Sequence, residues 1–356
     1  MDSVIVGMSG GVDSSVAAAK LIQDGHRVTG LFMKNWEEDD TEEYCSAAED
    51  LADAVEVCKQ LEIELKTVNF SHEYWTRVFQ LFLSEYRAGR TPNPDIVCNK
   101  EIKFKEFLKW SLHLGADYIA TGHYARLERR NRHYLLCKGR DRNKDQSYFL
   151  HTLDQEALRL ASFPIGDMQK DVVRDEARNL GLPTHDKKDS TGICFIGERR
   201  FNDFLSRFLP AQEGDIQTLE GESIGRHQGA YYYTIGQRQG LGIGGDGEAW
   251  YVAEKDIKRN ILYAVQGHDH PALMTRVILA EELNWIKQSP PSLPGIFKAK
   301  TRYRQDEQNC VISMIGPNYC RVEFDTPQWA VTPGQSIVFY QEDVCVGGGL
   351  IKSASN

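Results

Sequence analysis

The run Ser9-Gly10-Gly11-Val12-Asp13-Ser14-Ser15 follows directly on the apolar stretch Val4-Ile5-Val6 and opens a segment carrying Val16, Ala19 and Leu21. A strand, a glycine turn and a helix N-terminus in that order hold phosphate. Adjacent glycines let the backbone approach the anion, and the unpaired N–H groups of the first helical turn point at it with partial positive charge. The run lacks the lysine of Gly-x-x-x-x-Gly-Lys-Ser/Thr and the spacing of Gly-x-Gly-x-x-Gly, so neither a Walker-type loop nor a dinucleotide fingerprint fits. The same residues would also make a plain strand-to-helix turn capped by Ser or Asp.

Eight cysteines stand at positions 45, 58, 98, 137, 194, 310, 320 and 345. They are scattered through a long chain with no Cys-x-x-Cys and no zinc-ligand spacing, which argues against a disulfide framework, a structural zinc or an iron–sulfur cluster. Any special cysteine works as a thiol. Cys98 lies four residues after Pro94 and just before the amphipathic run Ile102, Phe104, Phe107, Leu108, near a helix N-terminus whose dipole favours the reactive thiolate. Cys194 follows the charged stretch His185-Asp186-Lys187-Lys188-Asp189, whose lysines favour the anion in the same way. Either cysteine, taken alone, equally fits a small buried hydrophobe. Asp95, three residues before Cys98, has the position of a general acid or base and equally of a helix N-cap. His123 ends a strand in Thr121-Gly122-His123-Tyr124, where a core histidine is the commoner meaning.

Positioning these groups takes two or three hydrophobic cores, the number expected of 356 residues. A composition of 41% hydrophobic and 26% charged residues, with 15 Phe, 15 Tyr and 6 Trp, excludes a disordered or fibrous chain. No apolar run approaches the roughly 18 residues of a membrane span, and no basic n-region marks a signal peptide. A cytoplasmic address without membrane contact is the expectation. The net charge of −9 argues against indiscriminate affinity for nucleic acid, yet residues 101–150 hold 11 basic against 6 acidic side chains. The basic run from Arg126 to Lys144 can hold phosphates, and it also reads as a solvated hairpin.

Alternating short apolar and longer amphipathic runs in the first third predict a parallel sheet with crossover helices. The expected strands are Ser3–Gly7, His26–Met33, Glu64–Asn69 and Asp117–Thr121. The expected helices are Ser14–Asp24, Ser46–Leu61, His72–Ala88 and Asn99–Leu114. From about Gly214 the texture changes to short strands, including Gly229–Ile235, Trp250–Ala253 and Asn260–Val265. After the loop Ser289–Pro294, five more runs (Ile296–Tyr303, Cys310–Ile315, Tyr319–Phe324, Ser336–Tyr340, Val344–Ile351) suggest a small antiparallel barrel. The fold class is therefore α/β, with a parallel-sheet domain over residues 1–200, a central mainly β domain over 201–275 and a C-terminal β-barrel over 276–356.

The glycine loop resembles the pyrophosphate loop of enzymes that split ATP between its α and β phosphates. Nearly end to end, the chain resembles one family among them, the tRNA-specific 2-thiouridylases. Gly30–Trp36, Gly89–Lys100, Thr121–Tyr124, Lys144–Leu150, Asp189–Gly197, Gly236–Gly242 and Thr332–Gln335 carry the likeness, and the two cysteine segments are its most specific parts. The resemblance implies replacement of O2 of the wobble uridine by sulfur, in tRNAs of the Lys, Glu and Gln type. It implies ATP held by Gly7, Met8, Ser9, Gly10, Gly11, Val12, Asp13, Ser14, Met33 and Gly122. Magnesium would accompany the ATP, with Asp13 the one weak candidate ligand. Cys98, Cys194 and Asp95 are the implied catalytic residues. Asn93, Pro94, Asp95, His123, Lys144, Asp145, Gln146, Arg302, Tyr303 and Gln335 are the implied tRNA contacts. In that scheme Cys194 carries a persulfide delivered by a sulfur-relay protein or a cysteine desulfurase, and the cycle ends in a Cys98–Cys194 disulfide. A segment around 185–200 would have to close to join two cysteines so far apart in sequence.

Two other readings stay open. A ligase of the GMP- or NAD-synthetase kind would use the loop with ammonia as nucleophile and need no paired cysteines. A redox-responsive RNA-binding protein would use Cys98 and Cys194 as a switch and leave the loop idle.

Overall fold

The computed structural model of the chain describes residues 1–37, 46–189 and 201–355. Its first unit is a five-stranded parallel sheet built from β1 (Ser3–Met8), β2 (Arg27–Lys34), β3 (Leu65–Asn69), β4 (Tyr118–Ala120) and the short strand Ala161–Ser162. The spatial order is β3-β2-β1-β4 and then Ala161–Ser162, all parallel. Both faces of such a sheet are covered, which is why β1 reads as an unbroken apolar run. Val4, Val6 and Met8 share one core with α1 (Val12–Gln23), while Ile5 and Leu31 share another with the aromatic side chains Phe79, Phe82, Phe104 and Phe107. The chain runs outward from β1 to β3, then returns to the far side of β1 as β4. Ligands of doubly wound sheets bind where that order reverses, outside the carboxyl ends of the strands. Here that point lies between β1 and β4.

Two long helices cover the second face. One runs from Ser71–Tyr74 through the π-helical turn Trp75–Phe79 into Gln80–Arg87. The other runs from Pro94–Cys98 through π-helical Asn99–Phe107 into Leu108–His113, beginning five residues before the expected Asn99. The early start follows from Asn93, whose side chain caps the helix, and from Pro94, which is preorganised for a first helical position.

The central unit is a four-stranded sheet of Gly214–Gln217, Ser223–His227, Trp250–Asp256 and Ile261–Gln266. Gly229–Ile235, expected as a strand, instead contains the 3₁₀ turn Ala230–Tyr232. Side chains replace the ladder partners there: the Gly229 N–H donates to Nδ1 of His227 at 2.9 Å, and the Ala230 N–H to Oδ1 of Asn260 at 3.1 Å.

The terminal unit is a closed barrel of six strands, one more than the five expected. The sixth, Met274–Trp285, pairs with Tyr319–Trp329 on one side and with Val344–Ser355 on the other, which closes the ring. Its pairing slips between Leu279 and Ala280 and again between Glu281 and Asn284, and Glu282 has φ +51°. Such irregularities destroy the two-residue alternation by which a strand is recognised.

The hairpin Ala125–Arg130/His133–Lys138 belongs in sequence to the first unit, yet it extends the barrel sheet, with Cys137 opposite Val344 and Leu136 opposite Cys345. Three basic residues of the run at 126–144 thereby meet acidic barrel residues. Arg126 and Arg142 pair with Asp343 at 3.3 and 2.7 Å, and buried Lys138 pairs with Glu307 at 2.5 Å while donating to the Glu342 carbonyl at 2.7 Å. Removing one partner of a buried pair strands the other charge, at a cost of roughly 3–5 kcal/mol. Lys138→Met should therefore destabilise the protein by about 3 kcal/mol in chemical denaturation. The double variant Lys138→Met/Glu307→Leu should recover most of that loss. Equal stability of the single and double variants would mean that the pair does not hold the hairpin to the barrel.

Candidate active site at the carboxyl edge of the parallel sheet

The glycine loop leaves β1 and enters α1 with Gly11 at the N-cap, so no side chain caps the first-turn N–H groups. The hydroxyls nearby turn inward. Ser14 Oγ accepts from the Ser9 N–H at 3.2 Å and donates to the Gly11 carbonyl at 3.0 Å, and Ser15 Oγ donates to the same carbonyl at 2.9 Å. Gly10 has φ +69°, and a methyl group there would stand 2.3 Å from the Asp50 carbonyl oxygen. Gly11 is different. Its backbone is extended, φ −101° and ψ 164°, and an added Cβ meets only Ser9 Oγ at 3.4 Å. The backbone requirement for glycine lies at Gly10; Gly11 would matter only through what approaches it.

Close packing brings the neighbouring elements onto this turn. A Cβ on Gly122, just past β4, would lie 2.7 Å from the Asp13 carbonyl carbon and the Ser14 nitrogen. A Cβ on Gly7 would meet the Phe107 ring at 3.3 Å and the Met33 methyl at 3.5 Å. Gly7, Met33, Gly122 and the loop therefore stand together at the β1/β4 switch point.

A charged network borders the loop. Lys170 donates to both oxygens of Asp13 at 2.7 and 2.8 Å and to Asp189 at 2.8 Å, and Tyr124 donates its hydroxyl proton to Asp13 at 2.7 Å. Asp189 also accepts from Lys144 at 2.6 Å and Arg174 at 2.8 Å. Burial works to raise the Asp189 carboxyl, but the ammonium groups of Lys144 and Lys170 outweigh it and hold it at about 2. Burial and Asp13 push the Tyr124 hydroxyl well up. Lys170 escaped the reading of the sequence because Asp13 lies 157 residues away from it, and no helical or strand period links Lys170 or Arg174 to Asp189. Asp13 is a poor fit for magnesium in this arrangement, since a cation would have to displace the Lys170 ammonium. Among the described residues no group of three or more His, Cys, Asp or Glu side chains could hold a metal ion.

Cys98 lies one turn inside the helix capped by Asn93, whose Oδ1 accepts from the Asp95 and Ile96 N–H groups at 3.1 and 3.4 Å. Asp95 is therefore not the N-cap; it sits half-buried in the first turn of the helix. The Cys98 side chain is only 2% exposed and belongs to the aromatic core, while Asn99 ties the helix to the Phe149 carbonyl at 3.3 Å. His123 is buried between Phe104 and Phe163 and shares a 2.7 Å hydrogen bond between its Nδ1 and Thr121 Oγ1. Burial, with some help from Lys103, lowers its pKa well below the usual value, so the ring is neutral. Burial also raises the thiols of Cys58 and Cys137 to about 11 and those of Cys310 and Cys320 to about 12, and it raises Cys345 as well. Those five remain protonated and inert at neutral pH. Cys194 lies outside the described residues.

Three family models tile the chain: a tRNA methyl transferase HUP domain over residues 2–198, a tRNA methyl transferase PRC-barrel domain over 202–266 and an aminomethyltransferase beta-barrel domain over 275–351. The chain is 58% identical over 357 residues to the tRNA-specific 2-thiouridylase MnmA of Pseudomonas aeruginosa (strain LESB58), an alignment covering 99% of this chain and 95% of that one. It is 58% identical over 359 residues to the protein of the same name from Methylococcus capsulatus, covering 99% and 97%. The chain belongs to the tRNA-specific 2-thiouridylase family. Among solved structures, the U34-tRNA thiolase NcsA from Methanococcus maripaludis is similar over 54% of this chain and 61% of that one, with 18% identity and a TM-score of 0.35.

As a member of the thiouridylase family, the chain places the expected tRNA contacts unevenly. Asn93, Asp95, Lys144, Gln146, Arg302, Tyr303 and Gln335 are partly exposed, whereas Pro94, His123 and Asp145 are buried. Asp145 accepts from the Gly139 and Ser147 N–H groups at 3.0 and 3.1 Å, and burial raises its pKa. Gln146 braces Tyr124, accepting its N–H at 2.9 Å through the side chain. Arg302 donates to the carbonyls of Ile235 and Ala330 and to Thr332 Oγ1, and lies over the Trp329 ring. Tyr303 packs against Phe149, and Gln335 donates to the Thr91 carbonyl at 2.6 Å.

The two loop glycines make separable predictions. Gly10→Ala should cost at least about 1–2 kcal/mol, from left-handed strain alone and before any collision with Asp50. Gly11→Ala should stay within about 0.5 kcal/mol of the parent. Thermal unfolding of the two variants checks this; equal losses of stability would contradict the assignment.

Proposed function

We propose that the chain replaces O2 of the wobble uridine of tRNA with sulfur, at the expense of ATP cleaved to AMP and pyrophosphate. One observation carries the reading: the uncapped first turn of α1 opens at the β1/β4 switch point, where Phe107, on the helix that bears Cys98, packs against Gly7. Backbone N–H groups at that turn would hold the phosphates and stabilise the charge that develops as pyrophosphate leaves. ATP supplies the activation, because an oxygen on a pyrimidine ring is a poor leaving group until it is adenylated.

Sulfur then comes from a persulfide on Cys194. Its terminal sulfur attacks C2 and expels AMP, giving a mixed disulfide between the nucleobase sulfur and Cys194. The Cys98 thiolate attacks the Cys194 sulfur, breaks that S–S bond and leaves the thiolated uridine, with the electrons accounted for by a Cys98–Cys194 disulfide. A dithiol reductant reopens it. In the variant order, Cys98 attacks the persulfide first and releases hydrosulfide as the nucleophile. Asp95, half-buried beside the helix start, serves as the acid or base at the base edge, and the uridine is splayed out of the anticodon loop to reach it. Asn93, Lys144, Gln146, Arg302, Tyr303 and Gln335 offer the surface for tRNA, with Pro94, His123 and Asp145 behind them. The persulfide donor is a sulfur-relay protein or a cysteine desulfurase.

Pyrophosphate release from ATP should require tRNA and no small-molecule acceptor. Cys98→Ser should still release pyrophosphate and accept sulfur on Cys194, yet fail to complete transfer over multiple turnovers. Cys194→Ser should release pyrophosphate and take up no persulfide. Release that needs ammonia instead of tRNA would favour a ligase, and its complete absence would favour a thiol switch. Normal turnover by Cys98→Ser would remove that thiol from the mechanism.

A further inference from the structure

The segment 88–93, which leads into the Cys98 helix, is tied at Thr91 to the two other units of the chain. The Thr91 N–H donates to the Pro333 carbonyl at 2.9 Å, and the Thr91 carbonyl accepts from Nε2 of Gln335 at 2.6 Å. Both backbone groups of Thr91 thus belong to one barrel loop. The central unit meets the same segment: Thr91 and Thr234 hydroxyls lie 3.4 Å apart, and a Cβ on Gly89, at φ +77°, would stand 2.3 Å from Ile257.

The barrel loop is itself fixed. Gly334 donates to the Ile351 carbonyl at 2.9 Å, and Ile351 returns a bond to the Gln335 carbonyl at 2.8 Å. Gly334 has φ +90°, and a Cβ there would lie 2.9 Å from the Thr91 nitrogen, so the two backbones touch as closely as only glycine permits. Arg302 ties the same loop, through Thr332 Oγ1 at 3.1 Å, to the Ile235 carbonyl at 3.1 Å. Two residues beyond Thr91 comes Asn93, the cap that sets where the Cys98 helix begins.

We propose that Gln335 is a positioning residue: its side-chain amide, by holding the Thr91 carbonyl, fixes from the barrel the segment Asn93–Cys98 at the edge of the parallel sheet. What Cys98 does there rests on the thiolation reading, but its placement does not. A side-chain amide that served only to touch tRNA would not be engaged with the protein's own backbone beside the nucleophile's helix.

The test compares Gln335→Met, which keeps length and removes the donor, with Gln335→Lys, which restores an N–H donor. In reduced protein without ATP or tRNA, alkylation of Cys98 followed by mass spectrometry should be about tenfold faster in Gln335→Met, the scale set by loss of one hydrogen bond. Cys310 and Cys345 in the barrel should keep the parent rate. Thiolation kcat should fall by a similar factor, and Gln335→Lys should restore both readouts. Cys98 alkylated at the parent rate, with only tRNA binding weakened, would overturn the proposal and leave Gln335 a substrate contact alone. Faster alkylation of all three cysteines would overturn it equally, by making Gln335 a residue of general folding. The alkylation arm uses no substrate, so failure of the thiolation reading would leave it interpretable.

Discussion

The first turn of α1 begins at a glycine that has no side chain with which to cap it, and much of the neighbouring structure keeps that turn open. A helix N-terminus carries partial positive charge that an Asn, Asp, Ser or Thr at the cap would neutralise. Gly11 leaves it exposed, while Ser14 and Ser15 direct their hydroxyls back to the Gly11 carbonyl and fix the shape of the turn. The nearest acid, Asp13, is bound to Lys170 and Tyr124. Gly10, Gly7 and Gly122 are small because Asp50, Phe107 and α1 come within contact distance of each. The sheet order then decides where the open turn points, namely into the gap between β1 and β4.

Around that turn, a single helix is fixed from three directions. Phe104 and Phe107 pack it onto the sheet, where Phe104 meets His123 and Phe107 meets Gly7. Asn99 anchors it to Phe149, and Thr91 ties its approach to the barrel. Apolar packing alone would tolerate sliding among three units, whereas hydrogen bonds of fixed direction set the register. The buried Lys138–Glu307 pair, the Arg302 guanidinium and the Gln335 amide all work at such joints, and each would leave a stranded polar group if the units moved apart.

This division explains what the sequence did and did not reveal. The strand, glycine turn and helix at residues 3–23 were legible because all their determinants are local, and the parallel strands showed as apolar runs. The Asn93 cap follows the same local logic, with Asp95 two residues on as a rival of equal cap preference. Gly10 and Gly11 look alike as letters and differ only in φ. The Lys170–Asp13 and Thr91–Gln335 bonds join residues too far apart in sequence for any spacing to show them. The irregular strand Met274–Trp285 lost its alternation to its own register shifts. Basic residues at 126–144 suggested a phosphate-binding surface, and several prove to be matched by Glu307 and Asp343, whose positions become meaningful only after the hairpin joins the barrel.

The central claim is that ATP is used at the α1 turn to adenylate the oxygen that sulfur replaces. A tRNA carrying ¹⁸O at C2 of the wobble uridine tests it most directly. After one turnover with ATP and persulfide-loaded protein, mass spectrometry should find the label in the phosphate of AMP, because the departing O2 leaves as an AMP oxygen. Label in inorganic phosphate or in water, with AMP unlabelled, would contradict adenylation at that oxygen and with it the role assigned to the loop.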